Sequence, residues 1–215
     1  DTVSKADGGT FDGNVTFGSG ADIITETLGT DNVRIGENAG DSIASGGANN
    51  VTVGKNAGTA ITTGKKATLI GAESGEALVD GDNNTAVGYQ ALTADTNGEK
   101  SVAVGTFALM AQNQSSLTDT HNTAVGYQAG TAITTATRNT VVGSSAGASN
   151  QTSLYNTYVG YGAGQSTTGQ GNTFIGDASG NSVVAGEFNT LLGQQAGNAI
   201  TSGDKNTIIG RFTGN

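Results

Sequence analysis

The 215-residue sequence has no cysteine, no proline and no tryptophan, and it has one methionine and one histidine. Without cysteine there is no disulfide framework, no thiolate metal site and no thiol nucleophile. A single imidazole, His121, cannot build a histidine cluster. Basic residues are scarce as well: nine Lys and Arg stand against eighteen Asp and Glu, a net charge of −9. So acidic a chain is a poor partner for nucleic acid. No apolar run approaches the ~18 residues that a membrane span requires, and no stretch reads as a secretory h-region. The first residue is Asp rather than Met, which leads us to expect a processed chain or a fragment.

Large apolar residues are also few. Val, Ile, Leu and Phe make up only 41 of the 215 residues, whereas Gly alone contributes 36. Composition of this kind, with the negative charge, would by itself argue for disorder. The order along the chain argues otherwise. The unit Asn-Thr/Val-x-aliphatic-Gly-x-x-small-Gly occurs eleven times, as in NTAVGYQAG, NTVVGSSAG and NTLLGQQAG. Its first glycines run Gly36, Gly54, Gly71, Gly88, Gly105, Gly126, Gly143, Gly160, Gly176, Gly193 and Gly210, mostly 17 residues apart. A repeat of one short strand and one partial strand is too short for a βαβ unit, but it suits one coil of a narrow β-solenoid. Eleven such rungs predict a rod roughly 50 Å long.

Each column of the repeat carries an expectation. The residue before the first Gly is aliphatic in every copy (Ile35 to Ile209), and Val or Thr stands two residues earlier (Val33 to Thr207). That spacing puts both columns on one face of a strand, and their β-branched chemistry suggests the face that points into the coil. The middle position then faces outward, and from the seventh copy it is wholly apolar: Val141, Tyr158, Phe174, Leu191 and Ile208. Such a stripe predicts self-association along the rod, because each coil holds few side chains of its own. The small residue three after the Gly reads as a tight corner, and the second Gly as a positive-φ turn position. Leu92 and Leu109 replace that second Gly, which implies a different corner in two rungs. The nine-membered Asn column, Asn32 to Asn206, reads as a stacked amide ladder. Seven residues after the Gly, Ile43, Ile61, Leu78, Ile133, Val183 and Ile200 suggest a short second strand, loop-like where Asp95, Gln112, Asn150 or Thr167 stands instead.

SVAVGTFAL and the recurring NTAVGYQAG resemble the repeats in the heads of YadA-type trimeric autotransporter adhesins. Similar arrays occur in phage tail fibres and tailspikes, often ahead of a self-cleaving intramolecular chaperone. The adhesin repeat is shorter than this one, which favours the phage-like arrays. The resemblance covers residues 31–215 and implies a left-handed parallel β-roll assembled as a homotrimer. Residues 1–30, with GGTFDGNVTFGSGADIIT, resemble fibre-shaft β-segments and read as an N-terminal cap or neck. The fold class expected is therefore all-β, a β-roll of about eleven coils in a trimeric fibre.

Chemistry is sparse. V-G-x-x-A-G resembles one hexapeptide of the β-helix acyltransferases, but the stretches between the copies do not complete three hexapeptides per coil. His121 lies in the polar stretch MAQNQSSLTDTH, where no catalytic partner is visible. Asp80, Asp82, Glu99, Asp177, Glu187 and Asp204 fall mostly in connectors, without the regular pairing glycan cleavage would require. No phosphate-binding or calcium-binding glycine motif is present. No catalysis, cofactor or metal is expected. Threonine is plentiful at 32 residues, yet an ice-binding face needs outward Thr pairs, and the Thr column is expected to point inward.

The function expected is a structural segment of a phage tail fibre, on the virion, that contributes to host recognition. The alternative is an adhesin head on a bacterial surface. Partners expected are two further copies of the chain, neighbouring fibre domains, and a host glycan or protein receptor. The interval Gly105–Gly126 holds four more residues than the usual 17, which must bulge outward as a loop. With the nearby turn aromatics it supplies the candidate receptor contacts: Tyr89, Gln90, Phe107, Gln112, Asn113, His121, Tyr127, Gln128 and Tyr161. Aromatic faces beside amides are what a glycan site offers.

Overall fold

The computed structural model describes residues 29–214. Most of the N-terminal segment 1–30 therefore lies outside the described residues; Thr30 pairs with Ala48 of the next coil. Among the described residues there is no helix. Eleven three-residue strands stack in parallel, joined by ten coils: β1 (Val33–Ile35), β2 (Val51–Val53), β3 (Thr68–Ile70), β4 (Thr85–Val87), β6 (Val102–Val104), β8 (Thr123–Val125), β9 (Thr140–Val142), β10 (Thr157–Val159), β11 (Thr173–Ile175), β12 (Thr190–Leu192) and β13 (Thr207–Ile209). Each strand pairs with the equivalent strand of the next coil, so Tyr158 stands on Phe174 and Phe174 on Leu191. A second, two-stranded parallel pair joins β5 (Gly98–Glu99) to β7 (Thr118–Asp119). The chain is thus a parallel β-solenoid of the β-roll kind.

The inside and outside of the main strands are the reverse of the sequence expectation. The middle residues Leu69, Ala86, Ala103, Ala124, Val141, Tyr158, Phe174 and Leu191 are fully buried inside the coil of a single chain. The flanking aliphatics face outward, with Ile35, Ile70, Val125, Ile175, Leu192 and Ile209 all exposed. The Asn column explains why. Each Asn Oδ1 accepts the backbone N–H of the equivalent residue one coil further on, as Asn139 does from Asn156 at 2.9 Å. This arrangement recurs along the rod, from Asn32–Asn50 to Asn189–Asn206. A bond of that kind requires the amide to lie inside, and the residue two positions later shares its side of the strand. The amide ladder expected from the sequence is therefore present, and it fixes the parity of the nine strands that an Asn precedes; Ala67 and Ser101 hold its place before β3 and β6.

Glycine closes the corners. At the first Gly of each unit φ lies between +127° and +140°, a region that L side chains rarely enter. A Cβ at Gly160 would stand 2.3 Å from the Gly176 carbonyl oxygen of the next coil. The second corner position is left-handed throughout, including at Leu92 (φ 56°) and Leu109 (φ 47°). The corner is not different in those two rungs; its volume is. Where the inward strand residue is large, the corner facing it is Gly: a Cβ at Gly180 would meet the Phe174 ring at 2.3 Å, and one at Gly75 would meet Leu69 Cδ2 at 2.8 Å. Where the strand offers only Ala86 or Ala103, Leu92 or Leu109 fills the space and is fully buried. These coils keep their volume by exchanging bulk between two positions, as a close-packed interior requires, whereas in the coil of Ala124 and Gly130 it is Ile133 and Leu109 that stand against the corner.

The far side of the coil is built from turns linked by coil-to-coil hydrogen bonds, such as Thr62 N to Val79 O at 2.9 Å, and becomes strand only at β5 and β7. Asp95, Gln112, Asn150 and Thr167 do not loop out; they point inward and are fully buried. Gln112 Nε2 donates to Asp95 Oδ2 at 2.6 Å and to Ser101 Oγ at 2.8 Å, while its Oε1 accepts from Asn122 at 2.8 Å. Asp95 also accepts from the Gly98 and Gln114 backbone N–H groups. A satisfied polar network thus stands where other coils carry Ile or Leu, which is how buried polar groups avoid their desolvation cost.

Candidate recognition surface

The described residues enclose no pocket, so a partner would be met on the outer surface. Two surfaces differ from the rest. The first is the outer face of the main sheet, where the Val/Thr column and the aliphatic column run side by side over eleven rungs. Ile35, Ile70, Val125, Ile175, Leu192 and Ile209 expose their side chains there, Ile209 by 66 %. The residues expected at a subunit interface are not on this face. Val141, Tyr158, Phe174 and Leu191 fill the coil, and Ile208 is half-buried and packs on the same core. Tyr158 and Phe174 stack at 5.3 Å between centroids, and burial pushes the Tyr158 phenol well above its ordinary value. They serve each chain's own interior.

The second surface is the corner after β4, β6 and β8. Tyr89, Phe107 and Tyr127 meet there edge to face, with centroids 5.5 and 6.1 Å apart. Phe107 occupies the second turn position and the tyrosines the first, yet the three form one continuous row. Tyr89 and Tyr127 remain 43 % and 50 % exposed. Gln90 Nε2 donates to Glu73 Oε2 at 2.6 Å beside the row. Gln128 lies in the same turn as Tyr127, and its backbone N–H donates to Thr106 O at 2.9 Å. Tyr161 is exposed but makes no ring contact with this row, because Ser144 holds the equivalent place one coil earlier. The left-handed backbone at Gln90, Phe107 and Gln128 is no mark of a site, since the same position is left-handed at Asn38, Asn56 and Gln195.

The other candidate contacts cluster on the long coil. Ser115, Ser116 and Leu117 bulge into solvent, and the chain rejoins the stack at β7. Asn113 is exposed, with its Oδ1 accepting from Thr96 at 2.9 Å. Gln112 lies inside the coil and offers nothing to a partner. His121 Nε2 is 3.7 Å from Asp119 Oδ2, which also takes a 2.6 Å bond from Lys100 Nζ. Lys100 holds the Asp119 carboxyl below its usual range, whereas burial and the neighbouring Asp119 carboxyl raise that of Glu99. The Lys100–Asp119 bond ties consecutive coils together at the point where the chain rejoins the stack. No group of three His, Cys, Asp or Glu able to hold a metal ion occurs among the described residues.

Two features escaped the sequence reading: the outward Val/Thr and aliphatic face, and the contact of Phe107 with both tyrosines. The first had a signal, the exchange of Gly for Leu at the corner in two of the three rungs whose middle residue is Ala, those of Ala86 and Ala103. No protein-family model, curated protein or solved structure matches the chain.

Proposed function

We propose that the chain is a structural segment of a phage tail fibre, assembled as a parallel homotrimer of left-handed β-rolls, with a share in host-receptor recognition. The observation that carries this reading is the outer face of the main sheet. One aliphatic column, Ile35 to Ile209, runs unbroken along it beside a column of three valines and eight threonines, and an exposed aliphatic stripe of that kind marks association. Burying each larger side chain contributes about 1.5–3 kcal/mol, and a three-fold axis parallel to the rod repeats every such contact in register. The repeat's resemblance to trimeric fibre arrays points the same way. The head of a bacterial trimeric adhesin is the alternative origin, with the same assembly on a cell surface.

The test is the solution mass of residues 1–215 and of the variant Ile175→Asp/Leu192→Asp. The expected masses are three times 21.2 kDa for the natural sequence and one chain, or aggregate, for the variant. A natural chain that sediments as a monomer overturns the proposal. The outward Thr column favours one second reading, ice binding, because Thr140, Thr190 and Thr207 are exposed on a regular sheet. A monomer with thermal hysteresis would establish that reading instead.

A further inference from the structure

We propose that the corner row Tyr89–Phe107–Tyr127 binds a neutral, extended pyranose chain laid along the rod. The proposal rests on the reading of the rod as a recognition fibre and names the chemistry of one of its contacts. Pyranoses present apolar C–H faces that stack on aromatic rings, while their hydroxyls need fixed donors and acceptors at the edge. This corner supplies both. Both tyrosines are exposed to solvent. The Gln90–Glu73 pair beside the rings offers an amide and a carboxylate for hydroxyls.

The spacing fits a linear polymer. Neighbouring rings are 5.5 and 6.1 Å apart, close to the advance of one sugar in an extended 1,4-linked chain. Successive sugars of such a chain turn over, so the same face recurs at every second unit. The two tyrosines stand two rungs apart, roughly 10 Å by strand spacing, and the ring between them is turned by 69° and 67°. One tyrosine would thus meet every second sugar.

Charge selects the class. From Gly71 to Gly164 the two turn positions after each first Gly carry no Lys or Arg, and Glu73 adds a negative charge. With a net charge of −9, the surface would repel sialylated, sulfated or phosphorylated polymers.

The experiment titrates the full chain with β-1,4-linked hexamers of glucose and of N-acetylglucosamine, and with oligogalacturonate as the anionic counterpart, by calorimetry and by saturation-transfer NMR. Expected are binding of at least one neutral hexamer, weak or no binding of the galacturonate, and magnetisation transfer from the aromatic protons to the sugar. Tyr89→Ala/Tyr127→Ala should weaken binding by about tenfold to a hundredfold. Tyr155→Ala removes an equally exposed ring in another column and should leave binding unchanged. The proposal is overturned if neither neutral hexamer binds, if the double variant binds as the natural chain does, or if Tyr155→Ala costs as much. The transfer measurement needs no variant, so a misfolded variant does not rescue the idea. A trimer without sugar binding refutes the row and leaves the fibre; a monomer that binds sugar does the opposite.

Discussion

The exchange of volume between strand and corner is testable by moving it. In the coil of Ala103 and Leu109, the leucine fills the space that a large strand residue occupies elsewhere, and both residues are fully buried. Leu109→Gly should open a cavity and cost about 2–5 kcal/mol, less ~1 kcal/mol recovered from the left-handed backbone that leucine now endures. Ala103→Leu on its own should drive a second large side chain against Leu109 and cost about 1–3 kcal/mol. Together the two changes copy the coil of Leu69 and Gly75, where the leucine Cδ2 already lies 2.8 Å from the place of a corner Cβ. The double variant should therefore fall within ~2 kcal/mol of the natural chain, with a favourable coupling of at least ~2 kcal/mol. Urea unfolding at one fixed protein concentration measures the four states, and hydrogen exchange should localise the singles' damage to the coils around Ala103. A double variant whose loss equals the sum of the singles would refute the exchange.

Three further outcomes follow from the same interior and from its ionised rim. Asn139→Ala removes the acceptor of the Asn156 N–H and the donor to Ser153 O, so it should cost about 2–4 kcal/mol and raise exchange in the adjoining coils; a loss below ~0.5 kcal/mol would discount the ladder. Tyr158→Phe removes a buried hydroxyl that has Thr167 and Asn172 as polar neighbours but no bond of good geometry, so stability should hold or rise slightly, and a loss above ~1.5 kcal/mol would mean the hydroxyl is satisfied. Acid should act in opposite directions at two carboxyls. Donation from Thr63 and Thr62 lowers the Asp80 value below that of the unfolded chain, so its contribution is present at neutral pH and is lost as pH falls through the carboxylate range; burial raises that of Glu99, so its protonation on acidification favours the fold. Melting temperatures from pH 7 to pH 3 should show Asp80→Asn flattening the acid loss and Glu99→Gln steepening it; unchanged profiles in both would show that neither group is linked to folding.

The repeat, its period, the parallel stacking, the amide ladder and the outward bulge of the long coil were all legible in the sequence, because each depends on residues at fixed separations. A strand of three residues supplies alternation but not its sense, and there the chemistry of the columns misled. Uniform β-branched side chains look like core, whereas the true interior varies from Ala86 to Phe174, with Leu92 and Leu109 compensating at the corner for Ala86 and Ala103. The candidate contacts divided for the same reason. Tyr89, Phe107 and Tyr127 came together because corner positions stack, while Gln112 went inside with Asp95, which a polar side chain in a polar stretch gave no reason to expect.

Local spacing was enough to determine a solenoid: glycine at a backbone position that no Cβ can share, asparagine in nine of eleven rungs, and a period too short for a βαβ unit. Only the tertiary structure decided which face of each strand is wet. That choice turns on the closure of the coil, where an amide must reach the next coil's N–H and where side chains from strand and corner share one interior.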